Sequence, residues 1–326
     1  MTAFCALWLL VLTGFNADGA ERRPDALEPP RTPEPHTFRP SRRPPQFVMV
    51  SFDGGGGDRL WTYWRPIARE TGAHFTFFVS GVYLVDEADR ARYRPPRHRR
   101  GASDIGFAQG ADVVRATARQ IAAAQCEGHE IGTHFNGHFC AGYEGSVDEW
   151  GPADWERELD EFERLLDDAE LKVTPVGSRT PCLEGDMAAL YPVLARRGFR
   201  YDASQVARLG RWPWRERGIW SIPLLELPFA GHGFRVVSMD YNFMANQAGL
   251  AAPDVERETY LTLRNAFRAS YRGNRAPLTI GSHFETWNHW AYNRAITRLV
   301  REVCGLPDVR CTSARELVDW LDFYRR

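Results

Sequence analysis

Short apolar runs alternate with longer amphipathic stretches from residue 47 to the C-terminus. Residues 47–52 (FVMVSF) form an unbroken apolar run between prolines and glycines, the pattern of a strand buried on both faces. Residues 74–80, 129–134, 174–179, 199–203, 222–228 and 276–282 also read as strands. Helical periodicity marks residues 58–70, 111–127, 187–197, 254–271 and 288–304. Ser146 and Glu149 fit a capping box opening an acidic helix that runs to about residue 168, and Ser313 and Glu316 fit another for the last helix. Residues 86–110 are polar and basic and predict a long surface excursion. Alternating strands and helices predict an α/β fold with parallel strands. About seven such units predict a closed or nearly closed barrel, whose functional residues sit at the C-terminal ends of the strands.

The N-terminal region has a different pattern. Residues 3–12 are apolar, the length of a signal-peptide core and too short to span a bilayer. Residues 1–20 are therefore expected to be an export signal, and no stable membrane span is expected after processing. Residues 21–46 are crowded with proline, which removes backbone donors and fixes φ. They predict an extended tether ahead of one domain spanning residues 47–326. A secreted, extracellular or cell-wall location follows as an expectation. The six cysteines agree with it. Cys304 and Cys311 flank a short turn and can pair; Cys140 and Cys182 can staple two loops; Cys5 lies in the signal; Cys126 is left as a buried thiol. A formal net charge of −1 gives no reason to expect a nucleic-acid partner.

Candidate chemistry gathers at the strand ends. His134 and His138 stand four residues apart after a strand, and Gly132 and Gly137 favour a strand end and loop over a helix. Neutral imidazoles at this spacing suit a borderline divalent ion. Asp53, Arg179, Asp202 and His283 follow other strands. The run Gly54-Gly55-Gly56-Gly57 lacks the Lys-Ser/Thr of a phosphate loop and reads instead as letting backbone approach a ligand or metal. His129 reads as a packed or surface residue. Asp240 to Asn242 and Glu285 to Trp287 read as sugar contacts or as stabilising hydrogen bonds.

The whole run Gly-His-Glu-Ile-Gly-Thr-His-Phe-Asn-Gly-His, ending at His138, resembles the second motif of the polysaccharide deacetylases, the NodB-like carbohydrate esterases. Residues 75–81 (FTFFVSG) resemble their second-strand signature, and residues 51–55, 177–181, 201–204 and 278–283 resemble the remaining motifs in order. The resemblance implies a distorted, TIM-like (β/α)7-type barrel and hydrolysis of acetyl groups on sugars such as chitin or peptidoglycan. It implies a divalent metal, with zinc expected, on His134 and His138, and Asp53 as general base oriented by Arg179. It further implies an oxyanion contact from the backbone N–H of Cys182, and His283 as general acid with Asp202 holding its imidazolium form.

The first motif departs from the family, which usually shows two adjacent Asp. Here Asp53 is followed by Gly54, so the third protein ligand is missing. Asp53 itself, Asp58, Glu144, or no metal at all remain open. Two other functions follow from that gap. One is a catalytically silent carbohydrate-binding protein on the same scaffold. The other is a metal-independent hydrolase of another C–N bond, using Asp53 and His283 as its acid–base pair. Cys182 is a second departure, since the family commonly has an aromatic residue there.

Overall fold

The computed structural model describes residues 43–324. The apolar run at 3–12, Cys5 and the tether up to residue 42 lie outside the described residues. No helix among the described residues is long and apolar enough to cross a membrane.

Along the chain run β1 (Gln46–Gly54), α1 (Arg59–Thr71), β2 (Thr76–Val79), α2 (Ala111–Cys126), β3 (Glu130–Thr133), α3 (Pro152–Asp168), β4 (Gly177–Ser178), α4 (Met187–Arg196) and β5 (Tyr201–Asp202). Four short strands and a longer one follow: β6 (Val206–Arg208), β7 (Trp214–Glu216), β8 (Ile219–Ser221), β9 (Leu224–Pro228) and β10 (Arg235–Val237). The chain ends with α5 (Asp240–Ala245), α6 (Ala252–Arg272), β11 (Leu278–His283), α7 (Trp287–Val303), β12 (Val309–Cys311) and α8 (Ala314–Tyr324).

The main sheet has nine strands in the order β11-β1-β2-β3-β4-β5-β8-β7, with β12 also beside β1. All its pairs are parallel except β7 with β8. β1 is buried along nearly its whole length, as expected of a parallel strand covered on both faces. A second sheet, β10-β9-β6, lies beside β11. The segment after β10 bridges the sheets: the Ser238 N–H donates to the Leu225 carbonyl, and the Gly281 N–H to the Ser238 carbonyl, both at 2.8 Å. The result is a curled half-barrel sheet wrapped by helices, built on the (β/α)7 plan. Aromatic side chains fill it, Phe52, Phe77, Trp61 and Trp64 being fully buried.

Several local expectations are corrected. α3 starts at Pro152, not after Ser146, because Pro opens a first turn and the Gly151 N–H is taken by the Asp154 carboxylate at 3.1 Å. Ser146 instead precedes a separate single turn, Val147–Glu149. The basic stretch 86–110 is no mere surface excursion, since Tyr93 and Phe107 within it are buried. Cys126 is an exposed, disulfide-bonded residue at the end of α2, not a buried thiol. The pairs Cys140–Cys182 and Cys304–Cys311 are both formed.

Candidate active site

Parallel pairing brings the site together. Asp53 pairs with His283 in register across β1 and β11, and Thr133 with Ser178 across β3 and β4. The residues that follow β3 and β4 therefore share one rim with Asp53. Arg179 is fully buried; its Nη1 donates to Asp53 Oδ1 at 2.9 Å and its Nε to the Ala203 carbonyl at 3.1 Å. Its guanidinium lies 4.6 Å over the Phe78 ring, so the cation is held on two sides. Burial pushes the Asp53 carboxyl up, but the Arg179 cation, helped by the charged His283, outweighs it and leaves Asp53 below the ordinary carboxylate range.

His134 follows β3, and its Nδ1 lies 2.8 Å from the Arg179 carbonyl oxygen. A carbonyl only accepts, so Nδ1 carries the proton and Nε2 keeps its lone pair. Burial drives the His134 pKa down to about 3 and lowers that of His138 as well. Both rings are neutral at physiological pH, the state that binds a cation. Their centroids are 5.0 Å apart. The loop between them is not helical: Phe135 and His138 have φ of +57° and +60°.

His283 ends β11, and its partner differs from the expectation. Nδ1 lies 2.7 Å from Asp240 Oδ1, while Asp240 Oδ2 accepts from the His283 N–H at 2.8 Å and from Ser282 Oγ at 2.9 Å. Burial disfavours the imidazolium, yet Asp240 overcomes it and raises the His283 pKa to about 9. Asp202 makes no contact with His283. It is fully buried and accepts from Ser178 Oγ, Ser204 N–H and Oγ, and Tyr191. Burial raises its pKa. Its visible work is to tie β4 to β5 just behind Arg179.

A cleft of about 450 Å³ is lined by Asp53, His134, His138, Cys182, Glu184, Tyr241 and His283, among others. A contiguous one of about 250 Å³ adds Gly54, Tyr83, Glu285 and Trp287. Asp58 and Glu144 are exposed and line neither, so neither is placed to complete a metal site. Gly54 has φ +108°, and a Cβ there would meet only Tyr83 at 3.5 Å and Phe284 at 3.8 Å. Space for a side chain exists, but the backbone favours glycine. His138 also has Cys140 and Cys182 close by, but those sulfurs are joined to each other and are not thiolate ligands. The cleft offers a divalent ion two neutral imidazoles, which leave coordination positions open, while Asp53 on the same wall is taken by Arg179. Cys182 and Leu183 are both left-handed (φ +54° and +63°), and both line the cleft.

No family model matches the sequence, and no curated protein matches it. Solved structures do. A putative polysaccharide deacetylase from Mycobacterium smegmatis superposes with a TM-score of 0.55 at 17% identity, covering 86% of this chain and 92% of that one. The chain has the polysaccharide deacetylase fold. A family 4 carbohydrate esterase from Streptomyces lividans in complex with acetate is more distant, with a TM-score of 0.44, 14% identity and coverage of 81% and 91%. So is a CE4 family pseudoenzyme from Bacillus anthracis, at 0.46, 12%, 84% and 66%.

On this deacetylase fold the rim groups divide by protonation state. Asp53 is held anionic and His283 cationic, side by side in register. Groups pushed apart in this way suit opposite halves of a proton-transfer reaction. Sequence reasoning missed the role of Asp240. Its only sequence signal was a carboxylate just after a large side chain, Met239, a signal that Asp202 shares after Tyr201.

Proposed function

We propose that the protein is a secreted, metal-dependent hydrolase that removes acetyl groups from a carbohydrate. The observation that carries the reading is the pairing of an anionic Asp53 with a cationic His283 beside two neutral imidazoles in one cleft. His134 and His138 would hold the cation, with zinc the expected ion. When bound, such an ion polarises an acetyl carbonyl and lowers the pKa of water, so that even a weakly basic carboxylate can act. Asp53 takes the proton from the attacking water, and Arg179 fixes the orientation of its carboxylate. The backbone N–H of Cys182, at the cleft wall, stabilises charge on the carbonyl oxygen. His283 then delivers its proton to the departing nitrogen or oxygen, while Asp240 keeps the ring oriented and charged until that moment. Tyr241 and Trp287, with ring centroids 6.1 Å apart beside His283, offer apolar faces to a sugar. The Cys140–Cys182 and Cys304–Cys311 disulfides and the apolar run at residues 3–12 support an oxidising, extracellular location.

Gly54 favours a second reading, a silent carbohydrate-binding protein, because it withholds a third ligand. Metal content and acetate release from N-acetylated chitooligosaccharides, with and without chelator, separate the readings. Bound metal with chelator-sensitive acetate release supports the hydrolase. Sugar binding with neither metal nor acetate release supports the silent protein, and release that survives chelation supports a metal-independent hydrolase.

A further inference from the structure

Beneath the loop that carries both histidines lies a buried carboxylate to which no function has so far been attached. Glu158, on the inner face of α3, is fully buried, as are Tyr93 and Asn136. Glu158 Oε1 accepts the Asn136 backbone N–H at 3.0 Å, and both carboxylate oxygens lie 2.9 Å from the Tyr93 hydroxyl. The Tyr93 oxygen in turn accepts the Gly137 N–H at 3.1 Å. The Asn136 side chain donates back to the Glu158 backbone carbonyl at 2.8 Å. The bonds to Asn136 and Gly137 all fall between His134 and His138, where Phe135 and His138 hold left-handed backbone without being glycine. Such conformations persist only where their surroundings over-determine them.

A buried carboxylate is a poor choice for packing alone, since an apolar side chain of similar size would fill the space without desolvating a charge. Here its acceptors meet the amides of one loop and the hydroxyl that reads the next amide. We propose that Glu158 and Tyr93 are positioning residues that set the spacing of His134 and His138 before any ion arrives. The inference rests on those histidines being the metal pair. It assigns a purpose to α3 and to the basic stretch 86–110: together they form the template against which the loop is cast. Supporting residues of this kind change metal affinity by about 10–100-fold when altered.

The test uses full-length protein and two readouts. The first is amide hydrogen exchange at Asn136 and Gly137 in metal-free protein, for wild type, Tyr93→Phe and Glu158→Gln. The second is the dissociation constant for Co²⁺ by isothermal titration. Val300→Ala, a fully buried position on α7, serves as a control for general loss of stability. The expected result is faster exchange at those two amides than in the control, with Co²⁺ bound about 10-fold more weakly. Exchange no faster than in the control, in both variants, overturns the proposal. So does faster exchange with unchanged Co²⁺ affinity. If wild type binds no Co²⁺, the metal reading of the histidines fails, and the positioning proposal, which rests on that reading, is overturned with it. The exchange arm then still shows whether Glu158 and Tyr93 order the loop.

Discussion

Asp240→Asn should convert His283 from a standing acid into a ring that is neutral at working pH. The wild-type imidazole titrates at about 9 although burial alone would take it below 6.5. The rise from 6.5 to about 9 corresponds to about 3 kcal/mol of preference for the charged ring, which is a lower bound on what its neighbours supply. Asp240 dominates, at 2.7 Å and with a side chain almost wholly buried; Asp53 adds a smaller share. At pH 8, a group with a pKa of about 9 is about 90% protonated, and one at 6.5 or below is about 3% protonated. The population of competent acid should therefore fall by about 30-fold in Asp240→Asn. An NMR titration of the His283 ring carbon–proton signals reads the pKa directly, and the alkaline limb of the acetate-release profile reads its consequence. A His283 pKa that stays above 8 in the variant would refute the assignment of Asp240. Asp202→Asn is the natural contrast: it should leave the His283 titration unmoved and instead lower the melting temperature through its lost bonds to Ser178 and Ser204.

Three further outcomes follow from the same geometry. Gly54→Asp places a non-glycine residue at φ +108° and should cost about 1–3 kcal/mol of stability in chemical denaturation; if the ligand position is simply vacant, metal affinity should rise at the same time, and unchanged affinity would sink that idea. The Cys140→Ser/Cys182→Ser pair opens a link spanning 42 residues, so stability should drop by about 3–4 kcal/mol, with acetate release falling because the two loops it joins both border the cleft. His134 is held at about 3, below its unfolded value of 6.5, so its contribution is fully present above pH 6.5 and is lost as pH falls toward 3; the melting temperature of wild type should decline more steeply between pH 6.5 and 4.5 than that of His134→Gln, and equal slopes would contradict the reading.

The parts of the site that were legible in the sequence share one property: each falls at or just after the end of a strand-like run. Asp53, His134, Arg179 and His283 are of this kind, and parallel pairing carries them to a common rim. Asp240 was not legible in the same way. It reaches His283 through the bridge that sets Met239 beside Gly281, a contact made by the sheet's closure and not by local pattern. Asp202 looked equivalent, and only its bonds to Ser178 and Ser204 reveal that it faces inward. The strands β6, β7 and β10 escaped notice because they are three residues long and mostly exposed or half-buried, leaving no alternation to read. Tyr93 was hidden by its arginine-rich neighbours, although it is the residue of that stretch most completely removed from water.

The position of β1 has a consequence for how the chain comes to be folded at all. It is the first strand of the domain and yet an interior strand of the sheet, one in from its β11 end, with β2 and β12 on one side and β11 on the other. The Gln46 side chain closes onto the Ala276 carbonyl, 230 residues later. At a synthesis rate of about 5–20 residues per second, that partner follows roughly 12–46 s after Gln46. Throughout that interval the strand's backbone donors have no partner on the β11 side, and the loop that must close is long, which favours slow, late assembly. On its other side the sheet runs β1-β2-β3-β4-β5 in chain order, so that half can pair as each unit emerges. The β11-facing edge of β1 waits for the last strands, and an unpaired edge of that kind is a template for wrong pairing until synthesis nears its end.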